Sequence, residues 1–259
     1  MISRFFRQSV ISFKALFGWL DPKIYILVKV INPIFQLIFF CLLAKYTYNT
    51  NDIKPWVIGN SIILCTYNCI FGVGTILSND RRFGTLKLVT ASPTNKFYIF
   101  ISRAFMHIID AFFTVSIGFI AGALVFGVNL TGINISLLVL TILTAMISAT
   151  CFGLIIASLG LVTRDMNLIM NSTAMVLMLL SGANISINNL PKVLQKISYY
   201  MPLSRSIQAA KLIGDGIYTG IYSLIGQELL IAVIYALIGF IMFKITERLA
   251  LKTGSLEAY

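Results

Sequence analysis

Long apolar runs, broken by short polar segments, set the pattern of this chain. A helix needs about 20 apolar residues to cross a hydrocarbon core roughly 30 Å thick. Six runs approach or exceed that length: Ile24 to Ala44, Trp56 to Leu77, Phe105 to Phe126, Ile133 to Val162, Asn167 to Ile187 and Leu224 to Phe243. They are continuous rather than alternating, so they predict helices and not barrel strands. The expected fold is an all-α membrane protein with six transmembrane helices. Asn32-Pro33 predicts a kink in the first span. The length of the fourth predicts tilt or an interfacial end.

The segments outside these runs carry their own periodicity. Phe6, Val10, Phe13, Phe17 and Leu20 recur at intervals of four and three, with Arg4, Arg7 and Lys14 on the other side. That predicts an interfacial helix over residues 1–22, lying on the membrane and ended by Asp21-Pro22. It has neither the uninterrupted apolar core nor the small-residue cleavage site of a signal peptide, so no cleavage is expected. Residues 188–222 form a loop with two short helical pieces around Met201-Pro202, expected to be re-entrant, dipping back into the outer leaflet.

Between the second and third runs lies NDRRFGTLKLVTASP, Asn79 to Pro93, within a basic segment spanning 79–98. Asn79 can cap a helix, and Asp80 suits its positive end. Phe83, Leu86 and Val89 then share a face, while Arg81, Arg82 and Lys87 project elsewhere and Ser92-Pro93 stops the helix. Gly84-Thr85 offers a small site for close approach. No separate soluble domain and no internal repeat is expected, so residues 1–259 are read as a single transmembrane domain.

Composition narrows the class. Only 11% of residues are charged, against roughly 25% in soluble domains. The net charge of +11 therefore points to membrane lipids and orientation, not to nucleic acid. Arg4, Arg7, Lys14, Lys23, Arg81, Arg82, Lys87, Lys96, Arg103, Arg164, Lys244, Arg248 and Lys252 fall on the side of the termini. Lys45, Lys54, Lys192, Lys196, Arg205 and Lys211 fall on the other. The positive-inside rule then predicts a multi-pass protein of the cell membrane with both termini cytosolic. Cys41, Cys65, Cys69 and Cys151 all lie in apolar runs and read as small buried hydrophobes. No metal site is expected, and no catalytic one, since the nucleophile elbow and any histidine cluster are missing from the sequence.

The segment FGTLKLVTASP resembles the short motif of type-2 ABC transporter permeases, in which a charged pair precedes G-T-L and S-P follows. Gly84, Thr85, Leu86, Leu88, Ser92 and Pro93 match it, and the acidic residue common before it stands here as Asp80. The interfacial helix, six spans and a Pro followed by an Arg in the last loop (Pro202, Arg205) extend the resemblance over the whole chain. The resemblance implies a dimer, with a second copy or a homologous permease, and two copies of a cytosolic ATP-binding subunit. It makes the 79–93 segment a coupling helix, with Asp80, Arg81, Arg82, Phe83, Gly84, Thr85, Leu86, Lys87, Ser92 and Pro93 in contact with that subunit. It makes Pro202 and Arg205 part of an outer gate. The sequence contains no G-x-x-x-x-G-K-[ST] loop, so no cofactor is expected in this chain; ATP and Mg would sit on the partner.

Polar residues inside the spans admit two readings. Asn32, Gln36, Asn60, Asn68, Asn171, Met175 and Met178 would line a substrate pathway, or they would serve helix packing, which uses the same residue types. The resemblance implies ATP-driven export, and a largely apolar pathway favours an amphipathic drug, antibiotic or peptide, with a lipid-linked glycan as the alternative cargo within the family. A different class stays open: His107 and Asp110, spaced i, i+3, could relay protons in a secondary transporter. Both are expected near the cytosolic interface, in the first two turns of span three.

Overall fold

The computed structural model describes residues 2–17, 21–85, 88–89, 95–129, 132–163 and 165–253. Their regular structure is entirely helical: α1 (Ile2–Phe17), α2 (Lys23–Tyr48), α3 (Lys54–Arg82), α4 (Lys96–Phe126), α5 (Ile135–Leu159), α6 (Met166–Leu180), α7 (Lys192–Tyr200), α8 (Ser204–Gly214) and α9 (Ile221–Thr253). Among the described residues, α2, α3, α4, α5 and α9 are long and apolar enough to cross a membrane. The chain is a multi-pass membrane protein.

The fifth expected span differs. Helix α6 stops at Leu180 after 15 residues, about 22 Å of rise, short of a full hydrocarbon core. Residues 181–186 leave the helix because Gly182 turns the backbone at φ +79°. Their carbonyls are then caught from outside. Trp56 Nε1 donates to Asn184 O at 3.0 Å, and Lys211 Nζ donates to Gly182 O at 2.7 Å and Ala183 O at 3.2 Å.

Helix α4 starts at Lys96 rather than near Phe105 because Asn95 caps it, accepting from the backbone N–H of Phe97 and Tyr98. His107 and Asp110 consequently sit near the middle of α4 and not in its first two turns. The break expected at Asn32-Pro33 takes the form of a π-helical turn, Leu27–Ile31, just ahead of the proline that lacks an N–H. A second π-helical turn, Tyr67–Gly72, occurs in α3.

Helix α3 is the axle of the bundle. Of its most apolar stretch 72% is buried, against 17% for α2, so α2 lies at the periphery. Small residues let α3 pack closely. A Cβ at Gly118 would meet Leu64 at 2.8 Å, and one at Gly122 would collide with Val57, so the G-x-x-x-G pair on α4 seats that helix on α3. Ile58, Ile62, Cys65, Cys69 and Ile70 of α3 join Ala145, Met146, Met170, Leu177 and Ile207 in the main core. Helices α7 and α8 flank Met201-Pro202, and α8 buries Ile207, Ala209, Ala210 and Ile213 inside the bundle.

The bundle has two chemically distinct ends. At the basic end, α1 packs on the start of α4 through Phe5 against Tyr98 and Phe105, and the buried Ser9 hydroxyl donates to Ser102 O. Lys96 of α4 pairs there with Glu247 of α9. The opposite, loop end holds Trp56, residues 182–184, α7 and the C-terminus of α8.

Candidate functional site

At the basic end, the residues expected to start a separate helix instead finish α3. Asn79, Asp80, Arg81 and Arg82 lie in its last turns, so Asn79 is no N-cap. The helix ends in a tight turn: Phe83 N–H donates to Asn79 O at 2.8 Å, Gly84 N–H to Arg81 O at 3.1 Å, and Gly84 adopts φ +70°. Among the described residues, nothing lies within 4 Å of where a Gly84 Cβ would stand, so the glycine serves the left-handed turn and not packing against them. Thr85 restarts the chain. Its hydroxyl donates to the Asp80 carboxylate at 3.0 Å, and its carbonyl accepts from Leu88 and Val89 N–H. Leu86, Lys87, Ser92 and Pro93 fall outside the described residues.

The charged residues here divide by partner. Asp80 pairs with Arg103 of α4. Arg81 donates to Leu161 O at 3.4 Å and Thr163 O at 2.9 Å, in the turn that follows α5. Arg82 is exposed, as are the apolar side chains of Phe83 (69%) and Leu88 (74%). A cavity of about 510 Å³ opens beside them, between α1 and α3, lined among others by Arg7, Ser12, Ile76, Phe83 and Arg103.

The sequence model of the ABC-2 type transporter family matches residues 10–213, more than half of the chain. The chain belongs to that family. It is also 26% identical over 174 residues to the protein named "Probable multidrug ABC transporter permease YbhR" of Escherichia coli (strain K12), and equally to its counterpart in Escherichia coli O157:H7. Each alignment covers 66% of this chain and 47% of the relative, so the chain spans about half the length of the curated relatives it matches. Membrane subunits of this family are transport components, and the family in general works with an ATP-binding partner.

In this ABC-2 chain the in-span polar residues do not converge on one lumen. Asn60 is buried at the loop end, its Nδ2 donating to Asn184 Oδ1 at 2.9 Å and to Trp56 O at 3.0 Å. Asn68 is buried near the middle of α3, donating to Thr114 Oγ1 at 2.7 Å and to Asp110 O at 3.4 Å. Gln36 of α2 is half-buried and lies near Tyr67. Asn32, Asn171 and Met175 are exposed on α2 and α6, and Met178 is half-buried. Cys65 and Cys69 are fully buried in the core.

Two charged residues inside the spans escaped the sequence reading. Lys29, in the π turn of α2, forms an ion pair with Asp110 and donates to Asn68 Oδ1. Tyr25 donates to the other Asp110 oxygen at 3.3 Å. Both carboxylate oxygens of Asp110 are thus met by donors from α2, which weakens the case for a relay with His107. His107 packs against Gly72, where a Cβ would collide with its ring.

Glu228 of α9 is fully buried and accepts from Leu203 N–H at 2.8 Å and Arg205 N–H at 3.3 Å. It caps α8, and it holds Leu203 at φ +75°, a conformation that leucine rarely adopts. The expected gate residues flank this cap: Pro202 is buried, and Arg205 Nε donates to Gln227 Oε1 at 3.0 Å. Both charges were detectable, because an ionisable residue within an apolar run is a functional candidate by default.

Proposed function

We propose that this chain is the permease subunit of an ATP-driven exporter moving an amphipathic drug, antibiotic or peptide out across the cytoplasmic membrane. Family membership supports the transport role, and the multidrug name of the E. coli relatives favours small amphipathic cargo over a glycan. The observation that carries the coupling is the turn that follows Arg82. It presents Phe83 and Leu88 as exposed apolar knobs beside the exposed Arg82, at the end of the most buried helix of the bundle. A push on this turn acts on α3 directly, and through Arg81 and the Asp80–Arg103 pair on α5 and α4. Two copies of a separate ATPase subunit would grip the 79–93 segment, with ATP and Mg bound there. The basic end would face the cytosol, as the cation distribution favours, and a second permease copy or a homologue would complete the pathway.

The test is affinity purification of the chain in mild detergent, with mass spectrometry of what accompanies it, followed by transport in proteoliposomes. A stoichiometric soluble ATPase, lost on Phe83→Asp with Leu88→Asp, is the expected result. A chain that purifies alone and moves cargo without ATP would overturn the reading.

A further inference from the structure

The Lys29–Asp110 pair lies inside the bundle, with Asp110 near the middle of α4. Its surroundings are unusual in three respects. Both donors to the carboxylate, Lys29 and Tyr25, come from α2, the least buried long helix. The two π-helical turns carry Lys29 and Asn68, which hydrogen-bond each other, so the backbone is irregular on both sides of the seam. The α3 turn also presents an aromatic pair, Tyr67 and Phe71, with ring centroids 5.3 Å apart, and Tyr67 is 38% exposed.

A carboxylate in a low-dielectric setting needs a counter-charge. Any movement that separates α2 from α3 and α4 removes both of its donors in one step. Lys29 has a place to go: it lies one to two turns from Lys23, roughly 9 Å along the helix, within reach of the headgroups by snorkelling. Asp110 has no such route, and a cation arriving from outside α2 restores the balance. The aromatic pair on the π turn that carries Asn68, the other partner of Lys29, favours a cation on an apolar body.

We propose that Asp110 is the recognition point for an amphipathic organic cation, with Lys29 as the resident counter-ion that closes the site in the arrangement seen here. This rests on the permease reading and specifies its cargo: a lipophilic cation with its charge at Asp110 and its body against Tyr67 and Phe71.

The two partners then have opposite effects on binding. The experiment is equilibrium binding of tetraphenylphosphonium to the full chain in lipid nanodiscs, without nucleotide, with the neutral triphenylphosphine oxide as the reference probe. Asp110→Asn should weaken cation binding at least tenfold. Lys29→Met should tighten it several-fold, since the competitor is gone. Lys29→Arg should stay near the unmodified chain, and Lys29→Gln with Asp110→Asn, which keeps a neutral polar pair, should bind like Asp110→Asn. A purely structural ion pair would give the same sign for both single variants, and that result, or unaltered binding in Asp110→Asn, overturns the proposal. Folding of each variant is checked by its melting temperature; if a single variant fails to fold, the double variant decides, and tight cation binding by it also overturns the proposal. Failure of the unmodified chain to move any cargo with its ATPase would count against the permease reading instead.

Discussion

Gly84 shows how a residue can be chosen for the backbone and not for its neighbours. Its φ of +70° closes α3, and the space that a Cβ would occupy is open. Residue chemistry therefore ranks the substitutions. Asn tolerates the left-handed region, while Ala and more so Val do not. Gly84→Asn should keep most stimulation of the partner ATPase, Gly84→Ala should lose part of it, and Gly84→Val most of it, with insertion unchanged in all three. Equal loss in all three would mean that an incoming partner, and not the turn, sets the requirement. Lys211 makes a second prediction at this scale. Burial pushes its amine from 10.5 down to about 8, with Asp215 opposing. The unfolded chain then holds more protons than the folded one between pH 8 and 10.5, so stability rises with pH across that window. Below pH 8 the full cost of burying the ammonium is present. The melting temperature of the chain should therefore rise relative to Lys211→Met as pH goes from 7.5 to 9.5; a difference that stays constant with pH would refute the assignment.

Elements were legible where periodicity alone decides. Five of the six apolar runs located helices long enough to cross a membrane, and the Pro202 neighbourhood located the break between α7 and α8. Boundaries failed where a single tertiary contact decided them. Nothing local told that Asn95 would cap α4 nine residues ahead of the apolar run, or that Trp56 and Lys211 would draw residues 182–184 out of helix. Asn79 failed differently: a good capping residue was overridden because α3 continues through it. The same contacts separate two arginines that the sequence treats alike. Arg81 ties down the turn that follows α5, while Arg82 is exposed. Arg82→Glu should lower ATPase stimulation while leaving the melting temperature within about 1 °C, as surface changes usually do. Arg81→Glu should lower both, because Leu161 O and Thr163 O lose their donor and a carboxylate replaces it. Similar melting temperatures for the two variants would show that the Arg81 contacts contribute nothing to the fold.

As a single bundle, the whole molecule leaves polar side chains exposed within apolar helices. Exposed apolar side chains such as Phe35 and Phe39 on α2 say little, since lipid covers them as well as protein would. Polar ones discriminate. Asn32 on α2 and Asn171 and Ser172 on α6 are exposed within apolar helices, where hydrocarbon offers them no hydrogen bond. A second permease would supply partners for these side chains, which α2 and α6 carry. Cysteines at Asn32 and Asn171 should therefore cross-link between chains in native membranes under mild oxidation. Cys41, Cys65 and Cys69 are buried, and the half-buried Cys151 is replaced in the background as Cys151→Ala. Cysteine at Phe113, an exposed apolar position of α4, serves as the lipid-facing control. Dimer bands from the α2 and α6 positions but not from Phe113 would place the partner against those two helices. Equal cross-linking at all three would mean random collision, and none at Asn32 or Asn171 would mean that these polar groups face a cavity within one chain, leaving the second permease to be sought on another face.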